Sequence, residues 1–203
     1  MDIGIIGAGN VGRLLADGWA AAGHRVTLGS RTPGSVPGPH SAATVAELVG
    51  SHQVVVNATP GTASVDALTA AGAEAYQGKI VIDVANAITP DFGLAYPDGS
   101  LGERVQRALP GARVVKALNT AAMEIVTAPG SLSGPTSLFL SGDDADAKAT
   151  VAGLVRDLGW AEDSVIDLGG IETARATEHY FLLFAALMRA AGRSFNIRVV
   201  TGG

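Results

Sequence analysis

An apolar run at residues 3–6 stops at Gly7-Ala8-Gly9-Asn10-Val11-Gly12, and an alanine- and leucine-rich stretch follows at once until Gly23. No other feature limits the folding options of this chain as much. An unbroken apolar run suits a strand buried on both faces. Residues 11–22 carry helical periodicity and end at a glycine stop. A second β-branched run at 25–29 closes a strand–helix–strand unit of about thirty residues. Gly7 permits the tight turn, Gly9 lets another group approach the backbone, and Gly12 lets the helix pack closely on the strand. The free N–H groups at the helix start, with the positive end of its dipole, attract anions. Residues 7–12 therefore read as a loop for the pyrophosphate of a dinucleotide.

The same alternation continues along the chain. Further strands are expected at 54–58, 80–85, 113–118, 137–141 and 165–168. Helices are expected at 43–49, 64–71, 101–109, 120–126 and 143–158. Alternating strands and helices give an α/β fold, a doubly wound and mostly parallel Rossmann sheet. Counting these strands in order, the first six should lie 3-2-1-4-5-6. After residue 168 the pattern changes to one long helical stretch, 171–191, and a short apolar tail. The expected organisation is a dinucleotide-binding domain at 1–168 and a mainly helical C-terminal appendage at 169–203. The apolar run 180–188 suggests that the appendage forms a homodimer contact and covers the substrate site.

Composition narrows the class. The 203 residues include no Cys, which excludes a disulfide scaffold, thiolate metal sites and a Cys nucleophile. The formal net charge of −5, with no basic run, argues against a nucleic-acid partner. The apolar runs fall short of the ~20 residues that a membrane span needs. No metal-ligand cluster stands out, and no catalytic residue is assigned. The expectation is a cytoplasmic protein that handles a small molecule.

The end of the second strand decides which dinucleotide is favoured. An NAD site carries Asp or Glu there for the ribose 2′-OH. This chain has Ser30-Arg31-Thr32 after Gly29. A carboxylate would repel a 2′-phosphate, whereas Ser30 can hydrogen-bond it and Arg31 can pair with it. NADP(H) is therefore the expected cofactor. Ligands of such sheets sit beyond the carboxyl ends of the strands. That rule singles out Thr59 and Pro60 after the third strand, Asn86 after the fourth, and Asn119 and Thr120 after the fifth. Lys116 lies inside a strand and must be paired or reach an edge. Asp83, Lys116 and His179 are the proton donors that a carbonyl or imine reductase could use. His24, His40 and His52 fall at turns and are expected to face solvent.

These residues carry a resemblance. The loop with Asn10, Gly29-Ser30-Arg31, Thr59-Pro60, Lys116-Ala117-Leu118-Asn119-Thr120 and Ser141-Gly142-Asp143-Asp144 resemble the reductases that exchange hydride between NADP and the deazaflavin coenzyme F-420 (F420). The N-terminal module is also similar to the cytosolic domain of membrane metalloreductases. The resemblance implies hydride exchange between NADP(H) and coenzyme F-420 or a flavin-like ring. It places residues 8–11 on the pyrophosphate, Ser30 and Arg31 on the 2′-phosphate, Thr59 and Pro60 beside the cofactor, and Asn119 and Thr120 near the deazaflavin. Archaeal members carry His where this chain has Asn119. Two other readings remain open on the residues alone: an NADPH-dependent reductase of a small carbonyl or imine, and a non-catalytic NADP-binding regulatory module.

Overall fold

A computed structural model describes residues 1–202; Gly203, the last residue of the expected appendage, lies outside them. Eight strands form one sheet: β1 (Asp2–Ile6), β2 (Arg25–Gly29), β3 (Ser41–Ala43), β4 (Val54–Asn57), β5 (Ile80–Asp83), β6 (Arg113–Ala117), β7 (Leu138–Ser141) and β8 (Val165–Asp167). They lie in the order β3-β2-β1-β4-β5-β6-β7-β8. Neighbours are parallel except β6 and β7, which pair antiparallel through Lys116 with Ser141 and Ala117 with Leu140.

The fold class is the expected one, but the expected strand order is not: counted as expected, the six strands lie 2-1-3-4-5-6. The expectation took residues 54–58 as the third strand and so placed them outside β2. Instead, the three-residue β3 pairs with β2 at that edge, and β4 pairs with the opposite side of β1. Ser41-Ala42-Ala43 is short and has no β-branched residue, so no apolar run announces it. Backbone pairing to β2 alone makes it a strand.

Among the described residues, seven α-helices cover the sheet: α1 (Asn10–Ala21), α2 (Val45–Ser51), α3 (Ser64–Thr69), α4 (Leu101–Ala108), α5 (Met123–Val126), α6 (Ala145–Asp157) and α7 (Ala174–Ala191). Several starts are set by side chains. Thr44 and Glu47 form a reciprocal capping box on α2, Ser100 accepts from Glu103 N–H on α4, and Asp144 accepts from Ala147 N–H on α6. Two apolar layers result, one per face. On the first, Leu15 and Trp19 of α1 and Val151 and Leu154 of α6 pack on Ile3, Ile5 and Val56. On the second, Leu48, Leu68, Leu101 and Val105 pack on Ile6, Val55 and Val81. The odd–even split along β1 is the strand alternation of side chains. The α7 helix joins both layers: Ala174 belongs to the second, and Phe184 packs against the first. Among the described residues, no helix is long and apolar enough to cross a membrane.

Candidate functional site

The glycine loop is shaped by close contacts. Gly7 has φ +114°, and a Cβ there would stand 2.5 Å from the Ala58 carbonyl oxygen. A Cβ on Gly12 would stand 1.9 Å from the Gly7 carbonyl oxygen, so β1 and α1 meet only because Gly12 has none. Gly9 is different: a Cβ there would have nothing within 4 Å. It is the N-cap of α1, makes no side-chain cap hydrogen bond, and precedes a first turn with no acidic residue. The α1 start is thus uncapped by any side chain and has open space beside Gly9, the room and the charge that a pyrophosphate needs.

This helix start opens on a cleft of about 300 Å³. Asn10 and Val11 line it from α1, Thr59 and Pro60 after β4, Asn86 after β5, and Asn119 after β6. Six of the residues expected at the site therefore share one cavity. The others lie elsewhere. Thr120 is buried, with its hydroxyl oxygen unpartnered, and does not line the cleft. Ser30, Arg31 and Thr32 stand at the end of β2. Ser30 Oγ accepts from Thr32 N–H at 3.1 Å, which fixes the turn. Arg31 is exposed and has no ion pair among the described residues, so its guanidinium is available to an anion.

The cleft wall is held by a buried polar chain. Thr59 Oγ1 donates to Asn57 Oδ1 at 2.6 Å, and Asn57 Nδ2 donates to Asp83 Oδ1 at 2.8 Å. Asp83 Oδ2 lies 2.9 Å from Lys116 Nζ, which lies 2.8 Å from Glu178 Oε1. Lys116 also donates to the Ala85 carbonyl. Glu178 accepts from the N–H groups of Leu101 and Gly102 at 2.7 and 3.0 Å, the first turn of α4. One level above, Asn119 Nδ2 donates to Asn86 Oδ1 at 3.0 Å and to Thr177 Oγ1 at 3.3 Å, while Asn86 Nδ2 returns a bond to the Asn119 carbonyl at 2.8 Å. Leu118, buried with φ +61°, turns the chain between β6 and this pair. A left-handed non-glycine residue costs roughly 1–3 kcal/mol, so the surrounding bonds must hold it. Asn119 Oδ1 remains buried without a partner beside the cleft.

Burial pulls the Lys116 pKa down, but the attraction of Asp83 and Glu178 and their hydrogen bonds reverse this, and the net shift is upward. Lys116 is thus a charge that orients Ala85 and anchors α7. Lys116, Asp83 and His179 do not line the cleft. His24, His40 and His52 also differ from expectation. His24 meets Asp157 at 3.0 Å, His40 meets Asp17 at 2.6 Å, and His52 is buried on the Leu48 carbonyl. Two charged lining residues were missed in the sequence, Glu124 of α5 and Arg193 beyond α7. Both lie in segments with no motif, and only the fold brings them to the cleft.

The profile of the family described as NADP oxidoreductase, coenzyme F420-dependent, matches residues 2–87. A solved structure from Arthrobacter sp. FB24, which carries the name F420-dependent NADP reductase, is 40% identical. It superposes with a TM-score of 0.91, covering 98% of this chain and 99% of that one. The chain belongs to this family. Its members are NADP-dependent oxidoreductases, and the chain is an enzyme of that kind. The metalloreductase STEAP3 of Rattus norvegicus is 30% identical over 182 residues, which cover 87% of this chain and 35% of the rat protein. The chain thus spans about a third of that relative's length. A reductive aminase from Aspergillus terreus, solved with NADPH and ethyl levulinate, is 20% identical with a TM-score of 0.67, over 93% of this chain and 61% of the aminase. That likeness is one of fold.

Proposed function

We propose that the enzyme exchanges a hydride between NADP(H) and a flat tricyclic acceptor, coenzyme F-420 or a flavin. The observation that carries this reading is the continuity of an uncapped α1 start with a cleft whose inner wall includes Ala58, Pro60, Val84, Ala85 and the Asn86–Asn119 pair, with Glu124 and Arg193 as its two charged lining residues. The dinucleotide, when bound, supplies or takes the hydride. In this reading Gly9 and the α1 N–H groups hold the pyrophosphate, with Gly7, Ala8 and Gly12 setting the loop. Ser30, Arg31 and Thr32 hold the 2′-phosphate. Thr59 and Pro60 limit how the dinucleotide lies, and Asn86 and Asn119 frame the reacting end, with Thr120 buried behind them. Asn119 Oδ1, buried without a partner beside the cleft, is the acceptor for an amide donor in this reading. Residues 1–168 form the binding domain, and residues 169–202 cover it. Leu182 and Leu183 of α7 are about half exposed, at 50% and 53%, and we extend the proposal to a homodimer contact there. A monomeric mass at micromolar concentration counts against that contact.

The test is NADPH oxidation followed by absorbance with coenzyme F-420, FMN, FAD and a panel of ketones and cyclic imines. Turnover with the ring acceptors is expected. Turnover confined to ketones or imines, or tight NADP binding with no turnover at all, refutes the reading.

A further inference from the structure

We infer that Arg193 selects an acceptor bearing a phosphate on its side chain, by holding that phosphate at the mouth of the cleft. The inference rests on the ring-acceptor reading and names the acceptor class more closely. Gly192, with φ +79°, ends α7 and turns the chain back. The following tail is tied down: Ser137 N–H donates to the Ile197 carbonyl at 2.8 Å, Asn196 Nδ2 donates to the Ser137 carbonyl at 3.0 Å, and the Phe195 ring lies 5.2 Å from that of Phe184. Arg193 is held between these two fixed points. Among the described residues lining the cleft, it is the one cation.

Its partner in the free enzyme is weak. A guanidinium nitrogen lies 3.5 Å from Glu124 Oε1, and the two side chains are 68% and 54% exposed. Solvent screens such a pair to about 0–1 kcal/mol. Glu124, itself at the mouth, is a monoanion on an exposed side chain. A phosphomonoester carries about −1.5 to −2 charges at neutral pH and three acceptor oxygens that match the guanidinium fork. A ligand with this charge displaces Glu124 from Arg193, whereas an uncharged ring side chain has nothing to offer it. The dinucleotide has its own anion sites at the α1 start and at Ser30-Arg31, which leaves Arg193 for the second substrate.

FMN and riboflavin share one ring and differ by the phosphate, so they form the probe pair. Binding is read by quenching of flavin fluorescence at saturating NADP+, and NADP+ affinity is titrated separately. The wild-type enzyme should bind FMN more tightly than riboflavin. Arg193→Ala should weaken FMN about 10- to 100-fold, the range for hydrogen bonds to a charged group, and leave riboflavin and NADP+ within about twofold. Glu124→Gln should tighten FMN, because the competing carboxylate is gone. Equal losses for FMN and riboflavin overturn the phosphate assignment. A loss centred on NADP+ puts Arg193 on the dinucleotide and also overturns it. Binding of both flavins with no phosphate preference refutes this inference and leaves the ring-acceptor reading intact; binding of neither flavin, with no turnover of either flavin or coenzyme F-420, refutes both.

Discussion

Replacing Lys116 with Met tests the buried charge cluster that joins the sheet to α7. The Lys116 and Asp83 side chains are 0% exposed and that of Glu178 is 6% exposed. Methionine fills much of the same volume but removes a cation from between two carboxylates. Breaking a buried pair from one side costs about 3–5 kcal/mol, because the remaining charge is left in a poor solvent. Here both carboxylates keep other donors. Asp83 retains Asn57 Nδ2 at 2.8 Å and Ala85 N–H at 3.2 Å, and Glu178 retains two N–H groups of α4. The lower end, about 3 kcal/mol, is therefore expected. At about 2–4 °C per kcal/mol for a chain of this size, that lowers Tm by roughly 6–12 °C. Urea unfolding should show a lower midpoint at an unchanged slope. The triple variant Asp83→Asn, Lys116→Met, Glu178→Gln should recover most of the loss, since no charge remains buried. The pH dependence has a definite sign. Lys116 is pushed above its ordinary pKa of 10.5, with burial opposing and the two carboxylates prevailing. Its stabilisation is complete below 10.5 and is lost as pH rises through the higher folded value. The gap between wild type and Lys116→Met should therefore be flat at neutral pH and close only in strong alkali. A loss under about 1 kcal/mol, the range of exposed pairs, would refute the reasoning.

The glycine loop and the β2 end give sharper binding predictions. Gly9→Ala should keep stability within about 1 kcal/mol, a helix-start preference, since the new Cβ meets nothing. It should nevertheless weaken NADP+ in calorimetric titration, because that Cβ enters the open space beside the α1 start proposed to take the pyrophosphate; wild-type affinity would rule out that cradle. Gly12→Ala should cost about 1–3 kcal/mol in urea unfolding, as the clash with the Gly7 carbonyl forces β1 and α1 apart. A variant as stable as wild type would contradict the close-contact account. Arg31→Ala should weaken NADP+ by about 1.5–3 kcal/mol while NAD+ binding barely moves. Equal losses for both cofactors would exclude a 2′-phosphate role.

What the sequence makes legible depends on how far apart the partners lie. The β1–α1–β2 unit is readable because all its determinants fall within one local stretch, with Gly12 needed only by a carbonyl five residues earlier. The edge strand β3 was invisible because its cause is the neighbouring backbone, not its own side chains. Lys116 falls between these cases. A lysine in an apolar strand is a visible demand for buried negative charge. Once β5 and β6 are taken as parallel neighbours, their register sets Asp83 opposite Lys116, so the first carboxylate follows from strand assignment alone. Glu178 does not follow, because the path of α7 over the sheet is fixed by packing at Ala174 and Phe184 and by the Asn119–Thr177 bond. The same holds for Arg193, whose position depends on where α7 ends and on the tail's bonds to Ser137. The part of the cleft proposed to hold the dinucleotide is built from strand ends and the α1 start, so its lining residues are legible. The part of the cleft proposed to take the acceptor depends on what α5, α7 and the tail bring across the strand ends, so on that proposal acceptor choice changes through Glu124 and Arg193 without altering any residue of the glycine loop.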